Sequence, residues 1–196
     1  VYNFSSEEEL YSGNNPTKGV KELKVDNKRE RFLTTEEVKI LLQEIKADKD
    51  IYLCTILLLS TGGREGALLE LRKKDIDLTN NMLTIKDTKN DDTYGGFLGQ
   101  KIKYLLEEKI KDLVPNDKII SISARTLRRR LSKVMNNLFN QDLASDDRKN
   151  RVVIHTLRHT FASQLAINGT PIFTIQKLLN HKDIKQTLRY AKLAPD

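Results

Sequence analysis

The sequence predicts a mainly helical chain with one small antiparallel β-sheet, an α+β fold. Two observations carry that expectation. From Thr34 onward, most of the chain places apolar residues at helical spacing and punctuates them with helix caps. One interval, 75–99, breaks the spacing into short strand-like pieces between turn residues. With 196 residues, 38% of them apolar, there is enough material for one large domain with a real core.

The elements follow in order. Residues 1–31 read as irregular: an acidic run at Glu7–Glu9, the turn-rich SGNNPTKG, then the charged KELKVDNKRER. They are expected to be a linker and the trailing edge of an upstream domain, with residues 32–196 forming the domain proper. TTEE makes a capping box, Thr34 as N-cap and Glu37 three residues on, before Val38, Leu41, Leu42 and Ile45. A second helix over 50–60 is apolar enough to be central and stops at Gly62-Gly63. A short helix over 64–71 comes next. DIDL, MLTIKD and TYGGFLG are strand candidates around the Asn80-Asn81 turn and a polar turn at Asn90–Asp92. Helices resume over 99–112 and 124–140, the latter with a stripe of Leu127, Leu131, Val134 and Leu138. After a polar loop over 142–151, three helices are expected: 156–168 ended by Asn168-Gly169, 171–179 opened by Pro171, and 183–190.

Charge narrows the partner. The net charge is +7 and the pI about 9.4, which favours a polyanion, nucleic acid first. Mean hydropathy is −0.51 and no apolar run is long enough for a bilayer, so a soluble protein without membrane contact is expected. The single cysteine, Cys54, sits in IYLCTILLLS and reads as a buried core residue, leaving no disulfide framework. The chain begins without Met, and the reading expects a piece of something longer.

The chemistry concentrates in HTLRHTFASQLAINGTPIFTIQKLLNHKDIKQTLRY, which holds all three histidines. His155, Arg158 and His159 stand at i, i+3 and i+4 and share a helix face. A solvent-facing HxxRH patch is the plain alternative. A three-histidine zinc site with His181 is another, but Arg158 between the ligands would repel a cation, so no metal or cofactor is expected. His181 follows a helix end at LLN, where Asn accepts the left-handed backbone. Tyr190 is nine residues further; its phenol needs a base and a cation-lined target to act as nucleophile. Arg64 follows Gly62-Gly63 at a helix start, a place that favours anions.

TGGREGALLEL, a TK in the β-turn region, HTLRH, LLNH and Tyr190, in that order and spacing, resemble the tyrosine recombinase family, which includes phage-type integrases and Xer-type recombinases. The likeness runs from about Arg31 to Leu193. It implies that Arg64 and Arg158 clamp a scissile DNA phosphate and that Lys89 protonates the leaving 5′ oxygen. It implies that His155 accepts the tyrosine proton, that His181 hydrogen-bonds the phosphate, and that Tyr190 forms a 3′-phosphotyrosyl link. Lys86 is a rival to Lys89; Thr88-Lys89 fits the family pattern better. His159 is expected to support these groups from behind. The chemistry implied is site-specific cleavage and rejoining of double-stranded DNA without metal or ATP, by copies that assemble as a tetramer on DNA in the full-length protein.

Two departures stand out. The acid usual three residues after the first arginine is replaced by Ala67, with Glu65 and Glu70 nearby. Asn180 stands where Gly usually precedes the histidine, a neutral change because both accept the same backbone. Arg125, Arg128, Arg129, Arg130 and Lys133 form a basic run expected to touch the DNA backbone. The resemblance also implies an upstream helical DNA-binding domain. Six residues follow Tyr190, so the tail that packs on a neighbouring copy is expected to be missing or short. Type IB topoisomerase-like nicking and a DNA-binding module without catalysis are the alternatives.

Overall fold

The computed structural model of the chain describes residues 31–87 and 92–195; the expected linker up to residue 30 and the Lys89 turn lie outside them. The elements are α1 (Thr35–Glu44), α2 (Lys49–Thr61), α3 (Glu65–Leu69), β1 (Ile76–Asp77), β2 (Met82–Asp87), β3 (Asp92–Phe97), α4 (Gln100–Ile110), α5 (Ala124–Phe139), α6 (Ile154–Ile167), α7 (Ile172–Leu178) and α8 (Lys185–Leu188). Short 3-10 turns occupy Lys73–Asp75 and Ala191–Leu193. The mainly helical α+β expectation holds.

The capping box at α1 forms as the sequence dictates. The Thr34 hydroxyl accepts from the Glu37 N–H at 3.2 Å, and the Glu37 carboxylate accepts from the Thr34 N–H at 2.9 Å. Just before it, the Leu33 N–H donates to Thr160 Oγ1 at 2.9 Å, tying the start of α1 to α6.

Helix α2 is buried on every side; Cys54, Thr55 and Leu57 are all 0% exposed. A helix apolar all round belongs in the middle of a fold, and α2 lies against α6, with α1, α3, α4 and α5 also touching it. Burial pushes the Cys54 thiol up to about 12, so it packs as an apolar group. At the end of α2, Gly62 has φ +62° and its N–H donates to Leu58 O at 3.1 Å. A Cβ there would stand 2.3 Å from Phe161 Cδ1, so glycine serves both the turn and the contact with α6.

The sheet runs β1-β2-β3, antiparallel throughout. Asn81 makes the first turn with φ +54°, as its neighbourhood predicted. The β2–β3 register ends on Asp87 opposite Asp92. In β2, Leu83, Ile85 and Asp87 face inward.

Several boundaries differ from expectation. The helix expected over 64–71 covers Glu65–Leu69, and beyond it the Leu71 carbonyl accepts from the Ile119 N–H at 3.0 Å. The helix expected from 156 starts at Ile154, so His155 lies in its first turn. The last helix contracts to Lys185–Leu188, which leaves Tyr190 in the turn beyond it. The helix expected over 99–112 covers Gln100–Ile110. The α5 stripe is present, with Met135 added: Leu127, Leu131 and Met135 are fully buried, Val134 and Leu138 partly.

Two apolar clusters result. The larger gathers residues from Leu33 to Leu157. The smaller gathers Ala162, Ala166, Ile175, Leu179 and Tyr190 from α6, α7 and the last turn. Among the described residues no helix is long and apolar enough to cross a membrane.

Candidate functional site

Arg158 is the hub. It lies on α6, 2% exposed, because the residues around it on that helix face α2 and α7. Its Nη1 donates to Gly62 O at 2.6 Å and its Nη2 to Leu179 O at 2.6 Å. One guanidinium thus joins the backbone just before Arg64 to the backbone just before His181. Burial holds its pKa below the usual arginine value, opposed by the Tyr94 phenol and reinforced by Arg64. Arginine still keeps its proton in proteins.

Arg64 caps the start of α3, and its Nη1 pairs with the Asp87 carboxylate of β2. Its charge also bears on Arg158 and His181, so the two arginines and His181 share one field.

His181 is turned into place by a Schellman motif: its N–H donates to Gln176 O at 3.1 Å, and the Asn180 N–H donates to Lys177 O at 3.0 Å. Asn180 has φ +49°, the left-handed conformation foreseen for it. The His181 Nδ1 lies 2.9 Å from Thr187 Oγ1 in a hydrogen bond. Partial burial pulls its pKa down to about 4, helped by Arg158, Arg64, His155 and Arg189. It is therefore neutral at pH 7.

Tyr190 is 4% exposed and its hydroxyl lies 2.6 Å from His159 Nδ1. Burial raises its pKa; Arg189 and Arg158 work against that. Arg189 Cζ sits 5.9 Å from the centre of the tyrosine ring. His155, exposed on the first turn of α6, meets His159 edge to face with ring centres 4.7 Å apart.

A cavity of about 450 Å³ brings His155, Arg158, His159, His181 and Tyr190 together. Lys185, Gln186 and Arg189 complete its lining; the sequence reading missed them, although Lys185 and Arg189 stand at i, i+4 just ahead of the tyrosine. His159 is closer to the chemistry than expected. Expected behind the others, it bonds the Tyr190 hydroxyl directly, because the inner face of α6 meets the last turn of the chain. Lys89 lies outside the described residues. Lys86, its rival, pairs with Asp75 at 3.2 Å on the outward face of β2.

The basic run on α5 is exposed, but its members differ. Arg128 pairs with Glu65 at 2.8 Å and Arg130 with Asp48 at 2.7 Å. Arg125, Arg129 and Lys133 form an i, i+4, i+8 stripe along one side of the helix. Among the described residues no three His, Cys, Asp or Glu side chains are placed to hold a metal ion.

The arrangement is a cation-lined pocket with a buried phenol and three imidazoles, suited to attack on a phosphodiester. Comparison with known proteins agrees. The sequence profile described as the phage integrase family matches residues 31–196. Tyrosine recombinase XerA of Saccharolobus solfataricus is 37% identical over 173 residues, which are 88% of this chain and 56% of that protein. The integrase of Escherichia phage P2 is 30% identical over 190 residues, 97% of this chain and 51% of that protein. The chain therefore spans about half the length of the curated relatives it matches. A solved structure of the Tn1549 transposon integrase, in complex with transposon right end DNA, superposes with TM-score 0.70 at 18% identity, covering 96% of this chain and 70% of that one. At that identity the likeness is one of fold.

Proposed function

The chain belongs to the phage integrase family, the tyrosine recombinases, and from that premise we propose that it is the part of a site-specific DNA recombinase that cleaves and rejoins strands through Tyr190. The observation that carries this reading is the pocket in which the Tyr190 hydroxyl, 2.6 Å from an imidazole, stands beside a buried arginine and a neutral histidine.

In this reading the Tyr190 oxygen attacks the phosphorus of a DNA phosphodiester. Its proton passes to the edge-to-face His155–His159 pair. A phosphotyrosyl bond forms at the 3′ end while the bond to the 5′ oxygen breaks, and Lys89 returns a proton to that oxygen. Arg64 and Arg158 hold the two non-bridging oxygens as their charge grows; losing one such donor costs on the order of a hundred- to a thousandfold in rate. When the Thr187 hydroxyl donates to His181 Nδ1, the proton resides on Nε2, which then donates to a phosphate oxygen. Attack of a 5′-hydroxyl on the phosphotyrosyl bond reverses the sequence, so the bond energy is conserved and ATP is not required.

Arg125, Arg129 and Lys133 would grip the duplex backbone as this proceeds. In the full-length protein, acting at the nucleoid, an upstream domain would close round the DNA and four copies would assemble on two sites. A nicked suicide duplex tests the proposal. A covalent protein–DNA adduct that forms in EDTA and is lost in Tyr190→Phe supports it; absence of any adduct at saturating DNA overturns it in favour of a DNA-binding module without catalysis.

A further inference from the structure

Asp87 is a charge at a position built for the core. Strand alternation sends it inward with Leu83 and Ile85, and it is 3% exposed. A carboxylate there is costly unless a cation meets it, and Arg64 meets it. The acids beside Arg64 in sequence are committed elsewhere. Glu65 holds Arg128 at 2.8 Å, and Glu70 holds Lys118 at 2.7 Å. One turn along α3 from Arg64 stands Ala67, 5% exposed and unable to supply an oxygen. Arg64 is thus buttressed not from its own helix but from the end of β2, 23 residues on.

On the reading that this site transfers phosphodiesters, we propose that Asp87 is the positioning residue for Arg64, filling from the sheet the place that position 67 leaves empty on the helix. The pair engages Nη1 and leaves Nη2 and Nε as donors for a phosphate oxygen, with the guanidinium tethered at one corner by the carboxylate. Asp87 itself touches no reacting atom. Its effect belongs to the rate of the transfer step, because the guanidinium must meet an oxygen whose charge is still developing.

The test uses single-turnover adduct formation on a nicked suicide duplex, with DNA affinity and thermal melting measured alongside. Asp87→Asn is expected to slow adduct formation at saturating DNA about 10- to 100-fold, the scale of a misplaced catalytic group, with DNA affinity little changed. In an Arg64→Ala background the same substitution is expected to add nothing. Ala67→Glu placed in the Asp87→Asn chain is expected to return part of the rate by supplying the acid from i+3. An Asp87→Asn chain as fast as the wild type overturns the proposal, as does one that slows Arg64→Ala by the same factor again. Should Asp87→Asn lose the fold, Asp87→Glu takes its place: slowing that vanishes with Arg64→Ala supports the role, and slowing that persists undiminished with Arg64→Ala overturns it. A wild-type chain that forms no adduct at all overturns the transfer reading first, and this role with it.

Discussion

The Nδ1 of His159 lies 2.6 Å from the hydroxyl oxygen of Tyr190, and the two residues are 7% and 4% exposed. The Tyr190 phenol is therefore held in the protein by the imidazole that neighbours it. Removing either partner breaks this buried hydrogen bond, at about 1–3 kcal/mol. His159→Ala and Tyr190→Phe are each expected to destabilise the chain in urea. Their double variant is expected to lose less than the sum, by a coupling of about 0.5–3 kcal/mol. Strict additivity would show that the contact does not operate in solution.

Arg158 has a second duty as a bridge between Gly62 O and Leu179 O, both at 2.6 Å. A lysine cannot span both carbonyls. Arg158→Lys is expected to lower stability by about 1–3 kcal/mol as well as slowing adduct formation. Equilibrium unfolding read beside the cleavage rate separates the two effects; unchanged stability would show that the carbonyls find other donors.

Two glycines near the site should answer oppositely to alanine. Gly62 has φ +62° and faces Phe161 Cδ1 at 2.3 Å from an added Cβ, so Gly62→Ala is expected to cost about 1–3 kcal/mol. Gly66 lies in α3 with open space around its Cβ position, so Gly66→Ala is expected to stabilise by about 0.4–1 kcal/mol. Melting curves of the two variants decide it.

His181 should titrate late. Its pKa is pulled down to about 4 from the usual 6.5, so the folded state favours the neutral ring. Its contribution to stability is then present above pH 6.5 and lost as pH falls from 6.5 toward 4. Imidazole proton shifts in NMR should show His181 neutral at pH 5.5. Adding duplex DNA should raise the midpoint, because a phosphate offsets the charge of Arg158 and Arg64. A midpoint near 6.5 without DNA would contradict the burial described for it.

The α5 cations should divide by partner. Arg125→Ala, Arg129→Ala and Lys133→Ala are each expected to reduce the slope of log affinity against log salt by about 1. Arg128→Ala and Arg130→Ala are expected to change it less, since Glu65 and Asp48 already neutralise those side chains. Equal slopes across the set would show that the ion pairs open on the duplex.

The sequence made much of this legible, for physical reasons. The capping box at Thr34, the glycine stop at Gly62 and the left-handed Asn180 are local rules, fixed by a few neighbouring residues. The α5 stripe follows from helical period alone. The Arg64–Asp87 pair could not be read, because it depends on how β2 lies against α3, a tertiary relation with no signature in either segment. The nearness of His159 to Tyr190 was hidden likewise, since it depends on how the last turn of the chain seats against α6. Lys185 and Arg189 had a helical spacing that could have been noticed, but their turn toward the pocket comes from the packing of α7 on α8.

The division of the interior into two apolar clusters sets a hierarchy of opening. Tyr190 belongs to the smaller one, made by α6, α7 and the last turn, whereas α2 anchors the larger. Sub-global openings cost less where fewer apolar contacts are broken. Tyr190 can therefore swing free by melting its own small cluster while the sheet and the α2 core stay shut. In amide hydrogen exchange, residues 185–193 should lose protection at a denaturant concentration at which residues 51–58 still keep theirs.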